Sequence, residues 1–362
     1  MTGRGTVTRL AWQLFAAGVA LTPACAKTAT PTPDSQSAGY PGPVVPGKYH
    51  PGHYICVADA SVRLSAVEGY ALEAVAGMVR RYNWRDLEPS KGHYDLSSIE
   101  RDLKVCASNG KMLLAQIYDK SFVRGRSVCP AYLDGIMVEH AAGMIPARWT
   151  AQFVERYVAM VEAIAARFDA EPFFEGIIVQ ESGLGMNAPE LSRLGGEVAY
   201  SSGQYAAALG QYLSGAAQAL SRSRTVWFIN WLEGGVAVPD SLICKLIPLQ
   251  VVVAGPDILP YRANLVEKVY PKFDTFRGQL PLGNSMQADS YHTNSHDTGL
   301  NYGRGHSSEG GFDSMESLFL YGRDRLHLNY IFWSYPARPP GPDENTFADA
   351  LAVIRKYPVF NR

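Results

Sequence analysis

Residues 150–181, TAQFVERYVAMVEAIAARFDAEPFFEGIIVQE, contain two different hydrophobic periods in succession. Over 150–168, Phe153, Tyr157, Met160, Val161 and Ile164 recur every three or four positions, the spacing of one helix face. From 174 to 181 the run FEGIIVQE is short and almost continuously apolar. A strand reads this way when both of its faces are covered, as in a parallel sheet with helices packed on it. Parallel strands cannot be joined by a tight hairpin; they need a crossover, usually a helix. This stretch therefore predicts one helix-then-strand step of an α/β fold.

The same step recurs along the chain. Strands are predicted at 53–59, 77–83, 111–118, 174–181, 225–231, 250–256, 282–289 and 327–333. Helical patterns lie between them. Residues 97–109 place Ile99, Leu103 and Cys106 on one face, and 203–221, 261–273, 313–323 and 345–356 continue the series. Weaker helical patterns occupy 65–75 and 239–247. Eight strand–helix units imply a single (β/α)8 TIM barrel over residues 49–362. The rival is an open doubly wound sheet, but no GxGxxG or GxxxxGK[ST] stretch opens any helix.

Composition narrows the partners. The formal net charge is −1, with no basic excess to neutralise a phosphate backbone, so nucleic-acid binding is not expected. No apolar run reaches the roughly 18 residues of a membrane span. Residues 1–26 carry Arg4 and Arg9, an apolar stretch from Leu10 to Leu21, Pro23, and then Ala24-Cys25-Ala26. This predicts a secretory signal peptide cleaved after Ala26 and export to the periplasm or beyond. A lipoprotein signal with Cys25 lipidated is the alternative, but Thr22 stands where such signals usually carry Leu. Residues 27–48, rich in Thr, Pro, Ser and Gly, are expected to be a disordered linker, with ordered structure starting near Tyr49. Cys56, Cys106, Cys129 and Cys244 remain after cleavage, a number that permits two disulfides or four buried thiols.

In a barrel of this kind chemistry sits where the strands end. Those ends carry Asp59, then Trp84-Arg85-Asp86, then Tyr118-Asp119-Lys120, then Gln180-Glu181. They continue with Asn230-Trp231 and Glu233, Asp257, the segment Gln287 to His292, and Trp333. Carboxylates and aromatics on one rim suit glycosidic cleavage. One carboxylic acid protonates the leaving oxygen, a second carboxylate attacks or activates water, and rings offer faces to the sugar. Glu181 is the first candidate, because a buried strand has no need of a carboxylate at its end. Desolvation there is expected to raise its pKa toward that of a general acid. The structural alternative is a rim Glu paired with an arginine such as Arg85. Asp289 faces it across an eight-stranded barrel and is the preferred second carboxylate, with Asp257 and Glu233 as alternatives. Trp84, Arg85, Tyr118, Asp119, Gln180, Trp231, Gln287, His292 and Trp333 are candidate substrate contacts. Arg85 has an alternative role in an ion pair with Asp86 or Glu88, and each Trp has one in the core. The Gly-rich loop after the seventh strand carries His292, His296 and His306 with Asp289, Asp297 and Asp313, but in no tight metal-binding spacing. No metal and no cofactor are expected.

The stretch Tyr82–Asp95, YNWRDLEPSKGHYD, with the helix after it and Gly110–Ile117, GKMLLAQI, resembles retaining glycoside hydrolases of the (β/α)8-barrel clan. These often read W..LEP..G.YD at the second strand. The resemblance implies an acid/base Glu at the end of the fourth strand, which Glu181 matches, although Gln180 stands where the clan usually has Asn. It also implies a nucleophilic Glu at the end of the seventh strand, where this chain has Gln287 and Asp289 instead. An arginine on the second strand, Arg81 or Arg85, and Trp333 on the eighth complete the match. The segments DKSF at 119–122 and QES at 180–182 also resemble exported bacterial proteins. The resulting expectation is an exported, monomeric hydrolase of a β-linked poly- or oligosaccharide. Two alternatives are a carbohydrate-binding barrel without hydrolysis and a metal-dependent barrel enzyme using the histidines after the seventh strand.

Overall fold

A computed structural model describes residues 47–140, 143–232, 235–291, 314–335 and 345–361, with the side chains of 288 and 289 left aside. The predicted signal peptide, nearly all of the linker, Cys25, Glu233, His292, His296, Asp297, His306 and Asp313 lie outside the described residues.

Eight parallel strands close into a barrel. They are β1 (Gly52–Val57), β2 (Val75–Asn83), β3 (Met112–Tyr118), β6 (Phe174–Val179), β7 (Arg224–Phe228), β8 (Val252–Gly255), β9 (Leu282–Met286) and β10 (Tyr330–Ser334). Each pairs with its neighbour in sequence, and β1 pairs with β10, Tyr54 beside Phe332, to close the ring. All eight coincide with the expected runs. A short antiparallel hairpin, β4 (Met137–His140) with β5 (Gly143–Pro146), interrupts the path from β3 to the next helix. The helices are α1 (Trp84–Leu87), α2 (Ser97–Ala107), α3 (Ala151–Phe168), α4 (Ala188–Ser192), α5 (Ser202–Ala219) and α6 (Asp240–Leu246). They continue with α7 (Ala263–Lys268), α8 (Tyr270–Phe276), α9 (Ala288–Tyr291), α10 (Met315–Leu320) and α11 (Phe347–Lys356).

Two apolar layers follow from the period-2 alternation of the strands. Tyr54, Val79, Leu114, Ile178, Val226, Phe228, Val252, Ala254, Tyr330 and Phe332 fill the barrel interior. Their outward neighbours meet the helices. Helix α3 starts at Thr150, whose hydroxyl accepts the N–H of Phe153 at 3.3 Å. It buries Phe153, Tyr157, Met160, Val161, Ile164 and Phe168, each worth roughly 1.5–3 kcal/mol when removed from water. Between β6 and β7 the backbones come very close. Gly176 has φ +147°, and a Cβ there would lie 1.8 Å from the carbonyl oxygen of Arg224.

Three expected helices differ. Residues 65–75 form only a 3-10 turn at Leu64–Ala66, because Gly69 adopts φ +82° and the Leu351 side chain packs where its Cβ would stand. Residues 261–273 divide at Val269 into α7 and α8, with Pro271 in the first turn of α8. Helix α10 ends in a π-helical turn, Tyr321–Arg325, before β10. Cys56, Cys106 and Cys129 are free thiols, so two bridges among the four cysteines are not made. Burial pushes the thiols of Cys56 and Cys106 up to about 12.

The N-terminal end of the barrel is closed by the chain that precedes β1. Lys48 donates from Nζ to the carbonyls of Asp169 and Phe174 and to Ser223. Beneath the interior core the fully buried Glu175 accepts the backbone N–H of His50 and the hydroxyl of Tyr330, both at 2.9 Å. Its other oxygen meets His50 Nδ1 at 2.7 Å, and this bond raises the imidazole above its ordinary range. At the same end Asn329 donates to the carbonyl of Asn361.

Candidate active site

The opposite end is open. A cavity of about 560 Å³ is lined by residues from the C-terminal ends of β2, β3, β6, β7, β8 and β9. Its geometry centres on Glu181, two residues beyond β6.

The local backbone is fixed by the side chains of Gln180 and Arg148. Gln180 turns its side-chain oxygen to the backbone N–H groups of Asp119 (3.2 Å) and Lys120 (2.8 Å), tying the end of β3 to that of β6. Arg148, fully buried, grips Asp119 with two bonds of 2.8 and 2.6 Å. A third bond, 2.7 Å, runs from Arg148 to the Glu181 carbonyl. This bidentate pair holds the backbone from which the Glu181 carboxylate projects.

The carboxylate has two partners. Lys120, itself 2% exposed, donates from Nζ to Oε1 at 3.0 Å and to the carbonyl of Gly183 at 3.0 Å. Asn230, just past β7, donates from Nδ2 to Oε2 at 2.8 Å. Burial alone would raise the Glu181 pKa. The Lys120 charge, the bonds from Asn230 and Lys120, and the more distant Arg148 outweigh it, so the carboxyl lies below its ordinary range. The expected raised pKa is thus corrected. Glu181 is a rim carboxylate with a cationic partner, and that partner is Lys120 rather than Arg85.

Around this centre stand aromatic faces and further charges. Tyr118 lines the cavity with the Arg81 guanidinium stacked on its ring at 4.4 Å. Phe122, 53% exposed, lies 4.7 Å from the Lys120 ammonium. Trp231 forms part of the far wall, with Arg262 5.9 Å from its ring centre. Asp257, following β8, lines the same cavity with Arg262 at 3.9 Å. Gln287 lines it too, its amide donating to the Pro256 carbonyl at 2.6 Å.

Of the sequence candidates, Glu181, Tyr118, Gln180, Trp231, Asp257 and Gln287 therefore share one cavity. Four do not. Trp84 is fully buried, packs edge-on to Phe153 and Tyr157, and donates to Glu88 at 2.9 Å. Trp333 is fully buried, stacked near Phe319, and donates to His53 Nδ1 at 2.9 Å. Both rings belong to the layer outside the barrel. Arg85 is exposed and donates to the Ser127 carbonyl at 2.8 Å; of the two carboxylates expected beside it, Asp86 accepts from Asn83 at 2.7 Å and Glu88 pairs with Arg156. Asp119 is consumed by Arg148. Asp289 falls in α9, but its side chain, like Glu233 and His292, lies outside the described residues. Among the described residues no group of three or more His, Cys, Asp and Glu is placed to hold a metal ion.

Lys120, Asn230, Arg148, Phe122 and Arg262 escaped the sequence candidates. For Lys120 and Asn230 a signal existed. The third and fifth strands of such a barrel flank the fourth, so polar residues at their ends are neighbours of Glu181.

The fold and its rim cavity define a (β/α)8 barrel of the architecture used by glycoside hydrolases. Solved structures similar to this chain carry that description. The β-amylase catalytic domain of Paenibacillus polymyxa shares 8% identity over 84% of this chain and 97% of that one, with a TM-score of 0.55. Endo-glycoceramidase II from Rhodococcus sp., as its lactosyl-enzyme intermediate, shares 15% over 85% and 79%, with a TM-score of 0.51. An exo-β-1,4-mannosidase of Opitutaceae bacterium strain TAV5 shares 14%, with a TM-score of 0.48. The match covers 85% of this chain but 56% of that one, so the chain spans little more than half its length. No protein-family model matches the chain, and no curated protein matches it.

Proposed function

We propose that this chain is an exported glycoside hydrolase acting on a β-linked poly- or oligosaccharide. The observation that carries the reading is the open rim cavity in which the Glu181 carboxylate stands among the aromatic faces of Tyr118, Phe122 and Trp231. Export rests on the sequence of residues 1–26.

The ion pair and hydrogen bond on Glu181 support one part for it. A carboxylate held ionised by Lys120 and Asn230 is suited to attack the anomeric carbon or to take a proton from water. It is poorly suited to deliver a proton to the leaving oxygen. This reverses the role that the family resemblance implies for its position. The proton then comes from a second carboxyl group. Asp257 lines the same cavity, and Asp289 follows β9 on the far side of the barrel. Retention calls for a separation of roughly 5–5.5 Å and inversion for roughly 6.5–9.5 Å.

Release of reducing ends from a polysaccharide panel tests the reading. Glu181→Gln is expected to lower turnover by at least about a hundredfold, and Asp257→Asn or Asp289→Asn identifies the proton donor by a comparable loss. Undiminished turnover in Glu181→Gln would refute the assignment. The Lys120–Glu181 ion pair also favours a second reading, a barrel that binds sugar without cleaving it. Saturable glycan binding with no products from the wild type would establish that one.

A further inference from the structure

The cavity holds a cation whose partners leave half of it unclaimed. Arg81 lies near the end of β2, paired in register with Gln116 of β3. Two residues earlier, Val79 and Leu114 point into the barrel core, so the period of the strands brings Arg81 and Gln116 onto the cavity floor. Gln116 accepts from Arg81 Nε at 3.2 Å, and the Tyr118 ring supports one guanidinium face at 4.4 Å. These contacts fix the plane of the group, and among the described residues neither terminal nitrogen has a protein acceptor. The other cations of the cavity are differently placed, Lys120 bonded to Glu181 and Gly183, and Arg262 beside Asp257. Among the described residues Arg81 has no carboxylate partner.

From this geometry we propose that the substrate is an acidic saccharide, with Arg81 receiving the carboxylate of a uronic acid unit. The proposal rests on the glycosidase reading and specifies its substrate class. A guanidinium offers two parallel N–H donors in a plane, the complement of a carboxylate's two oxygens. A half-buried guanidinium open to solvent draws water to itself. A neutral sugar seated over it strips that water and returns no charge, which costs free energy; a carboxylate returns both charge and hydrogen bonds. The aromatic faces nearby take the apolar side of the ring, so Arg81 separates acidic from neutral sugars rather than sugar from non-sugar.

Calorimetric titration of the wild type and of Arg81→Gln and Arg81→Lys, in the cold, tests the proposal. The probes are β-linked glucuronate and mannuronate tetrasaccharides, their methyl esters, neutral counterparts, and O-sulfated neutral counterparts. Glu181 is left intact, because removing it would free Lys120 as a second cation. The wild type is expected to bind a uronate about tenfold to a hundredfold more tightly than its methyl ester. Arg81→Gln is expected to erase that preference by weakening uronate binding and relieving the cost paid by the ester, and Arg81→Lys to restore only part of it. Equal affinity for acid and ester, a preference surviving Arg81→Gln, or no binding of any probe overturns the proposal. Tighter binding of the sulfated sugar than of the uronate overturns the choice of carboxylate. Reducing ends counted in the same samples at working temperature separate the two readings. Arg81-dependent uronate binding without products sinks the hydrolase and keeps this inference; cleavage of neutral and acidic chains alike does the reverse.

Discussion

Replacing Lys120 by methionine keeps the volume of the side chain and removes its charge. The ammonium sits 3.0 Å from Glu181 Oε1, and at an effective dielectric constant of about 20 their attraction is roughly 5–6 kcal/mol. Desolvating a lysine that is 2% exposed offsets much of this. Removing one partner of a buried pair typically costs 3–5 kcal/mol, and because the Glu181 side chain keeps 23% of its exposure the lower end applies, about 3 kcal/mol. For a domain of this size that is a fall of about 4–5 °C in Tm at pH 7. The pH dependence has a definite sign. The folded pKa of Glu181 is depressed, so the pair's contribution is present above the unfolded carboxyl value and is lost as pH falls through the lower folded value. The gap between wild type and Lys120→Met in thermal unfolding should therefore be widest near neutrality and narrow in acid. Adding Glu181→Gln to Lys120→Met should recover most of the loss, since neither charge is then left alone. An unchanged Tm at pH 7, or a gap that does not depend on pH, would show that the contact carries no charge interaction and would remove the basis for treating Glu181 as ionised.

Burial lowers the His53 pKa to about 4, so this ring stays neutral in the folded chain while the unfolded chain takes up a proton near 6.5. Stability is full above about pH 6.5 and falls by roughly 3 kcal/mol as pH drops toward 4; urea titrations of His53→Gln should lack that component, and equal pH slopes would refute it. Gly176→Ala would set a methyl group 1.8 Å from the Arg224 carbonyl oxygen and force β6 from β7, at a cost of about 3 kcal/mol or more by denaturant midpoint; a loss below 1 kcal/mol would contradict the close approach. Phe122→Ala and Trp231→Ala should each weaken glycan binding by about threefold to tenfold. Trp84→Phe and Trp333→Phe should lower Tm and leave binding unchanged, and the opposite ranking would restore the buried tryptophans as sugar contacts.

The barrel was legible because each strand is covered on both faces and so reads as a solid apolar run bounded by polar residues. The β4–β5 hairpin was not: four-residue strands beside Pro146 and Gly143 present no period long enough to separate from a loop. At the site, Glu181 stood out through the contrast between its charge and the strand before it. Its pKa direction was misjudged because burial can be read from one strand, whereas Lys120 and Asn230 arrive from the strands on either side. The errors over Trp84 and Trp333 have a simpler origin. Tyr330 and Phe332 face the interior, so alternation alone turns Trp333 outward, and a tryptophan following β2 can equally pack under a helix. Arg81 shows the converse. Its step of two from Val79 turns it inward, a position that charge type alone did not single out.

The chain enters the barrel at Lys48 and His50 and returns to Asn361, all at the end closed by Glu175. Both attachment points are therefore remote from the mouth that contains Glu181. A rigid support joined directly at Lys48 or at Asn361 would sit at the end opposite the cavity. Long polymeric ligands could then reach the rim without threading between the protein and whatever holds it.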